Sequence, residues 1–162
     1  MSKSIKLTSC EIGEIILGET VDITDPGYDR DVWCRMNDVK VVPGTYTCKK
    51  YTHTSRYTVD GKRISDTRVF ISGIYLKDHR LKMEDFEEIG EIGVDAGLAG
   101  YFPCKKDYSE EEWSSFCDRI YKGNAWLIDD GFCTSSGYGD GCYPVYAIKD
   151  ETGRATALEI RF

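Results

Sequence analysis

The chain reads as a β-rich α+β domain, an antiparallel sandwich or strongly curved sheet with one main α-helix. Three observations predict it. Short runs rich in Val, Ile, Tyr and Thr recur along the 162 residues, each closed by Gly, Pro or Asp. Aromatic residues reach 12%, with eleven tyrosines, which favour pleated strands. One segment after residue 108 changes to helical periodicity. No linker, repeat or low-complexity tract divides the chain, so residues 1–162 are expected to form a single domain.

Taken in order, Ile12–Leu17 is an apolar strand that stops at Gly18. Val39–Val42 runs into the turn residues Pro43 and Gly44, and Thr45–Tyr51 follows as a strand. Arg56–Ile64 holds Asp60-Gly61 at its centre, between Tyr57, Val59 and Ile64, which predicts a two-residue hairpin. Arg68–Leu76, with Val, Phe, Ile and Tyr, reads as a central strand. Glu88–Asp95 reads as a strand weakened by Gly90 and Gly93.

The helix is expected over about 109–121. Ser109 and Glu112 have capping-box spacing, and Trp113, Phe116, Cys117, Ile120 and Tyr121 fall on one face. Gly123 suits its C-terminal stop. Phe132–Ser136 and Cys142–Lys149 are strands joined by a glycine loop, and Pro144 predicts an edge strand or a bulge. After the turn Asp150–Gly153 the last strand alternates, with Thr156, Leu158, Ile160 and Phe162 opposite Ala157, Glu159 and Arg161.

The net charge is −7, from 21 basic and 28 acidic residues. Phosphate backbones repel such a chain, so no direct nucleic-acid binding is expected. The acids cluster at Asp22, Asp25, Asp29 and Asp31, at Glu84, Asp85, Glu87, Glu88 and Glu91, and at Asp107, Glu110, Glu111 and Glu112. Such runs serve either as solvated surface or as a face aimed at a basic partner. No apolar run reaches membrane-spanning length, and Met1–Lys6 lacks a signal peptide's apolar core. A cytoplasmic protein is expected. Seven cysteines, without a CxxC pair, support neither a zinc ribbon nor a thioredoxin-type site. They suit buried thiols in a reducing compartment, with a disulfide between strands left open.

Three glycine–acid segments could carry chemistry. In Gly137-Tyr138-Gly139-Asp140-Gly141 the central carboxylate opposes phosphate, and the loop lies between strands instead of opening a helix. Asp140, with nearby Asp129 and Asp130, could hold a divalent cation, though the spaced acids of a calcium loop are missing. Asp25-Pro26-Gly27 has the chemistry of a turn, or else belongs to a carboxylate cluster. Asp95 ends a strand before small residues. Neither His53 nor His79 lies in a catalytic signature, and Ser135 and Ser136 form no nucleophile elbow. Cys133 or Cys142 with His53 is the remaining nucleophile–base option.

Asp22-Ile23-Thr24-Asp25-Pro26-Gly27-Tyr28, Val94-Asp95-Ala96-Gly97, Ser136–Tyr146 and the terminal Ile160-Arg161-Phe162 together resemble a family of small uncharacterised bacterial and phage proteins with a C-terminal Gly-Asp-Gly-x-Tyr-Pro-Val-Tyr motif. The family's turn usually carries cysteine where this chain has Gly27. The resemblance implies a β-rich fold and a mobile-element setting, and no reaction. Together with the acidity, it leads to the expectation of a non-catalytic protein-binding module without a cofactor, acting on a host or phage protein with a basic surface. An acidic inhibitor of a nucleic-acid-binding defence enzyme fits that description. Candidate contacts are Glu84, Asp85, Glu87, Glu88, Glu91, Glu110, Glu111 and Glu112, with Asp22–Asp31. The alternative is a small-ligand or metal-binding domain, or a hydrolase, using Asp25, Asp95 and Asp140, with a divalent cation as its cofactor.

Overall fold

The computed structural model describes residues 6–119 and 123–162. The turn-punctuated pattern folds into two antiparallel sheets that pack face to face without closing into a barrel, with one helix outside them. In chain order the strands are β1 (Thr8–Leu17), β2 (Thr20–Thr24), β3 (Met36–Lys40), β4 (Gly44–Val59), β5 (Lys62–Leu76), β6 (Glu87–Val94), β7 (Leu98–Phe102), β8 (Ala125–Ile128), β9 (Gly131–Ser135), β10 (Gly141–Lys149) and β11 (Ala155–Arg161). The larger sheet has the order β1-β4-β5-β11-β10-β6, and the smaller β3-β2-β7-β9-β8. β1 lies against β8, β5 against β9, and β6 against β2 and β3.

The core fills the space between the sheets. Ile15, Tyr46, Ile74, Val145, Leu158 and Ile160 from the larger sheet meet Val21, Ile23, Tyr101 and Phe132 from the smaller. Burying each such side chain contributes roughly 1.5–3 kcal/mol. Tyr101 spans the layers, its hydroxyl donating to the Ser72 carbonyl at 2.7 Å. The alternation in β11 turns Leu158 and Ile160 inward as expected. Its other face is covered too: Tyr75, Ile148 and Ala157 pack beneath Leu81 and Phe86. Glu159 is buried there, accepting from the Tyr75 hydroxyl at 2.6 Å and the Arg161 guanidinium at 2.9 Å.

The helix α1 (Glu110–Arg119) covers the outer face of the smaller sheet. Its capping box forms reciprocally: Glu112 N–H donates to Ser109 Oγ at 3.2 Å and Ser109 N–H to Glu112 Oε2 at 2.9 Å. Phe116 is buried against Leu98, Phe102 and Cys133, with Trp113 beside it. Ile120 and Tyr121, expected on the same face, lie outside the described residues.

Pro144 meets the bulge expectation and not the edge one: it stands in β10, inside the larger sheet between β11 and β6. The ring is tolerated because the β11 ladder ends at Val145, one residue later, and a bulge follows between Val145 and Tyr146.

β4 and β5 continue past their neighbours. β1 pairs with β4 only as far as Thr52, and β11 pairs with β5 only from Ile71. Beyond those points, among the described residues, 53–68 pair only with each other, from His53↔Arg68 to Val59↔Lys62. This two-stranded arm closes on Asp60 (φ 49°) and Gly61 (φ 75°), both left-handed as a tight hairpin requires. The glycine loop supports its base. Gly137, at φ 58°, lies so close to β5 that a Cβ would stand 2.2 Å from the Val69 carbonyl oxygen. Tyr138 packs edge-on against Phe70, with the Arg68 guanidinium over its ring. Gly137→Ala combines left-handed strain with a backbone clash and is expected to cost about 2–3 kcal/mol in chemical denaturation. Gly139→Ala, at φ 87° with open space around it, is expected to cost about 1 kcal/mol.

Candidate functional site

The three glycine–acid segments meet at one end of the sandwich. Gly141↔Val94 is the last rung between β10 and β6, so Asp140 and Asp95 continue from its two sides. Ser136 N–H donates to the Gly97 carbonyl at 3.0 Å. Asp25 Oδ2 accepts from the N–H groups of Asp95 at 2.8 Å and Ala96 at 2.7 Å, and Oδ1 from Gly27 N–H at 2.8 Å. The loops converge, but their carboxylates differ in surroundings. Asp25 is fully buried and committed to backbone donors, whereas Asp95 and Asp140 are exposed. Burial pushes the Asp25 carboxyl above its ordinary range, and the Ala96, Asp95 and Gly27 N–H groups pull it back down. Among the described residues no three His, Cys, Asp or Glu side chains group as a metal-ion set.

Asp22 does for one side of β2 what Asp25 does for its exit. Its Oδ1 accepts from Asp38 N–H at 2.9 Å and its Oδ2 from Lys105 N–H at 2.9 Å. The guanidinium groups of Arg30 and Arg35 each lie 3.4 Å from Oδ2. The Arg35 side chain is fully buried, and burial pulls its guanidinium below the ordinary value while Asp22 opposes that shift. Arg35 also donates to the Tyr28 carbonyl at 2.9 Å and to Asn37 Oδ1 at 2.6 Å, and Asn37 donates to the Arg30 carbonyl at 2.9 Å.

These bonds present one residue that polarity and spacing do not single out. Trp33 is 88% exposed, on the loop between β2 and β3. The loop is held on every side: Arg30 N–H donates to Asp107 Oδ1 at 2.7 Å, and the Cys34 carbonyl accepts Gly93 N–H from β6 at 2.8 Å. Asp29 and Asp31 are exposed beside the tryptophan. The signal in the sequence is an aromatic residue between the charged residues Asp29, Arg30, Asp31 and Arg35.

The other acids divide between surface and structure. Glu84 and Asp85 form a short 3-10 turn after β5, and Glu87, Glu88 and Glu91 are exposed on the edge strand β6. Charged side chains on an edge also discourage strand-to-strand aggregation. Glu110 and Glu111 are exposed in the first turn of α1, and Glu112 is engaged in the capping box. His53 sits at the base of the arm against Phe70, and His79 is exposed after β5. Cys133 is fully buried and burial pushes its thiol up, whereas Cys142 is exposed. All seven cysteines are free thiols.

A cavity of about 690 Å³ opens between α1, residues 103–108 and the turn Asp129-Asp130. Tyr108 donates to the Asp129 carboxylate, and the Lys105 ammonium lies 3.7 Å from the centre of the Tyr108 ring. Burial, then the nearby Arg35, pulls the Lys105 ammonium below its ordinary value. The cavity lining mixes Lys105, Lys106 and Arg119 with Asp107, Glu111, Glu112, Asp129 and Asp130.

Comparison with protein-family models, curated proteins and solved structures returned no match. No described helix is long and apolar enough to cross a membrane. Removing Asp22 would leave the buried Arg35 guanidinium uncompensated. Asp22→Ala is therefore expected to cost about 3–5 kcal/mol in urea unfolding, and a loss below about 1 kcal/mol would contradict this role.

Proposed function

We propose that the chain is a non-catalytic protein-binding module whose contact surface centres on Trp33 and its acidic surroundings. The observation that carries this reading is a tryptophan left 88% exposed on a loop pinned by hydrogen bonds from the buried Arg35 side chain and from Asn37. Tryptophan is enriched among the residues that dominate binding energies, and a loop held in place loses little entropy on docking. Asp29 and Asp31 flank it, and the loop's bond to Gly93 sets it beside β6, which carries Glu87, Glu88 and Glu91. An apolar anchor inside a negative rim suits a partner with a pocket among lysines and arginines. The family resemblance adds a bacterial or phage setting, in which such a partner could be a defence enzyme whose basic groove holds nucleic acid. Asp22 and Asp25 do not belong to this surface, because they are buried. The alternative ligand or cation site at Asp25, Asp95 and Asp140 has weaker support, since Asp25 is spent on backbone N–H groups.

The test is affinity capture from a bacterial host lysate at low and high salt, with wild type, Trp33→Ala and Glu88→Lys/Glu91→Lys. A partner retained by the wild type should lose about 30-fold or more in affinity with Trp33→Ala. The charge reversal should slow its association and flatten the salt dependence. Nucleic acid should compete if the partner's groove is the target. Capture unchanged by both variants, with folding intact by circular dichroism, contradicts the proposal.

A further inference from the structure

Among the described residues, no strand beyond its own two pairs with the arm formed by residues 53–68. Its seven rungs, from His53↔Arg68 to Val59↔Lys62, extend about 20 Å past the sheet. A two-stranded ribbon alone is marginally stable in water and gains stability when a face is packed. The two faces differ. One carries only hydroxyls and guanidiniums, from Thr54, Arg56, Thr58, Arg63, Ser65 and Thr67. The other carries an apolar group, Tyr57 47%, Val59 45% and Ile64 37% exposed, with Ser55 and Asp66 toward the base and Lys62 at the tip.

We propose that this apolar face packs against the same face of a second copy of the chain, with the two arms antiparallel about a two-fold axis through the Tyr57–Ile64 rung. The charge pattern supports this occupant. A two-fold axis across the ribbon keeps β4 over β4 and β5 over β5 while reversing their direction. Tyr57 then stacks on Tyr57 of the second copy, and Ile64 on its Ile64. Lys62, two rungs toward the tip, lies over Asp66, two rungs toward the base, and Asp66 lies over Lys62 in return. Arg68, two rungs further down, lies over the Asp60-Gly61 tip. Each charge on the face meets its opposite, which is the self-complementarity a two-fold contact needs. Within one copy Arg68 already donates to Asp66 at 2.8 Å, so Lys62 adds a second cation to a carboxylate held in place. The hydroxyl–arginine face remains outside. The proposal does not rest on Trp33, which lies on another loop.

Sedimentation equilibrium of the full chain over about 1–200 µM tests it. The expected result is a monomer–dimer equilibrium. Tyr57→Ser/Ile64→Ser should abolish the dimer, and these exposed substitutions should leave the far-ultraviolet spectrum unchanged. Lys62→Glu should weaken association about tenfold, and adding Asp66→Lys should restore it to within about threefold. Trp33→Ala should have no effect on the dimer. A monomer across the range overturns the proposal, as does a dimer indifferent to Tyr57→Ser/Ile64→Ser or a charge swap without recovery. Duplex DNA binding that Arg56→Glu/Arg63→Glu removes and Tyr57→Ser/Ile64→Ser leaves intact would reassign the arm to nucleic acid.

Discussion

Two buried carboxylates, one in β2 and one just past its end, hold the irregular half of this protein in place. Asp22 in β2 accepts backbone N–H groups from Asp38 and Lys105, and Asp25 at its exit accepts those of Gly27, Asp95 and Ala96. The donors come from segments far apart in sequence, and none is satisfied by a sheet ladder. Charge-assisted bonds of this kind are worth about 1.5–3 kcal/mol each, and a buried backbone donor left unpaired costs a comparable amount. Arg35 completes the arrangement by neutralising Asp22 in the interior and fixing the loop that carries Trp33.

This constraint changes how the acidity is read. The charge of −7 describes a surface and an interior together. Asp22, Asp25 and Glu159 are interior groups with specific partners, whereas Asp29, Asp31, Glu88 and Glu91 face solvent. The field felt by a partner comes from the second set. The arm shows the same point with opposite sign: Arg63 and Lys62 lie about 20 Å beyond the sheet, about twice the distance over which salt screens the body's acids. Net charge alone therefore says little about either element.

Features set by neighbouring residues were legible in the sequence. Asp60-Gly61 formed its hairpin, Ser109 and Glu112 their capping box, and Leu158 and Ile160 turned into the core. Each depends on contacts within a few positions. β2, β7 and β8 carry no such local signal. Asp22 and Thr24 look like loop residues until their distant partners are known, Gly100 interrupts β7 where β9 passes close, and β8 is four residues long. Gly137 is ambiguous in the sequence because a close approach to backbone and a close approach to ligand both demand glycine. Its neighbour turned out to be the Val69 carbonyl. For Asp25, the meeting of its loop with those of Asp95 and Asp140 followed the pattern of the motifs, but the direction of its carboxylate depended on N–H groups about seventy residues away. Trp33 stayed hidden because exposure is a property of where a loop is held.

Native-state hydrogen exchange read amide by amide tests the central claim most directly. The N–H groups of Gly27, Asp95 and Ala96 lie in turns, yet they should exchange far more slowly than solvated loop amides. In Asp25→Asn their protection should fall at least about tenfold, while Asp38 and Lys105, held by Asp22, keep theirs. Rapid exchange of Asp95 and Ala96 in the wild type, or protection unchanged by Asp25→Asn, would contradict the account.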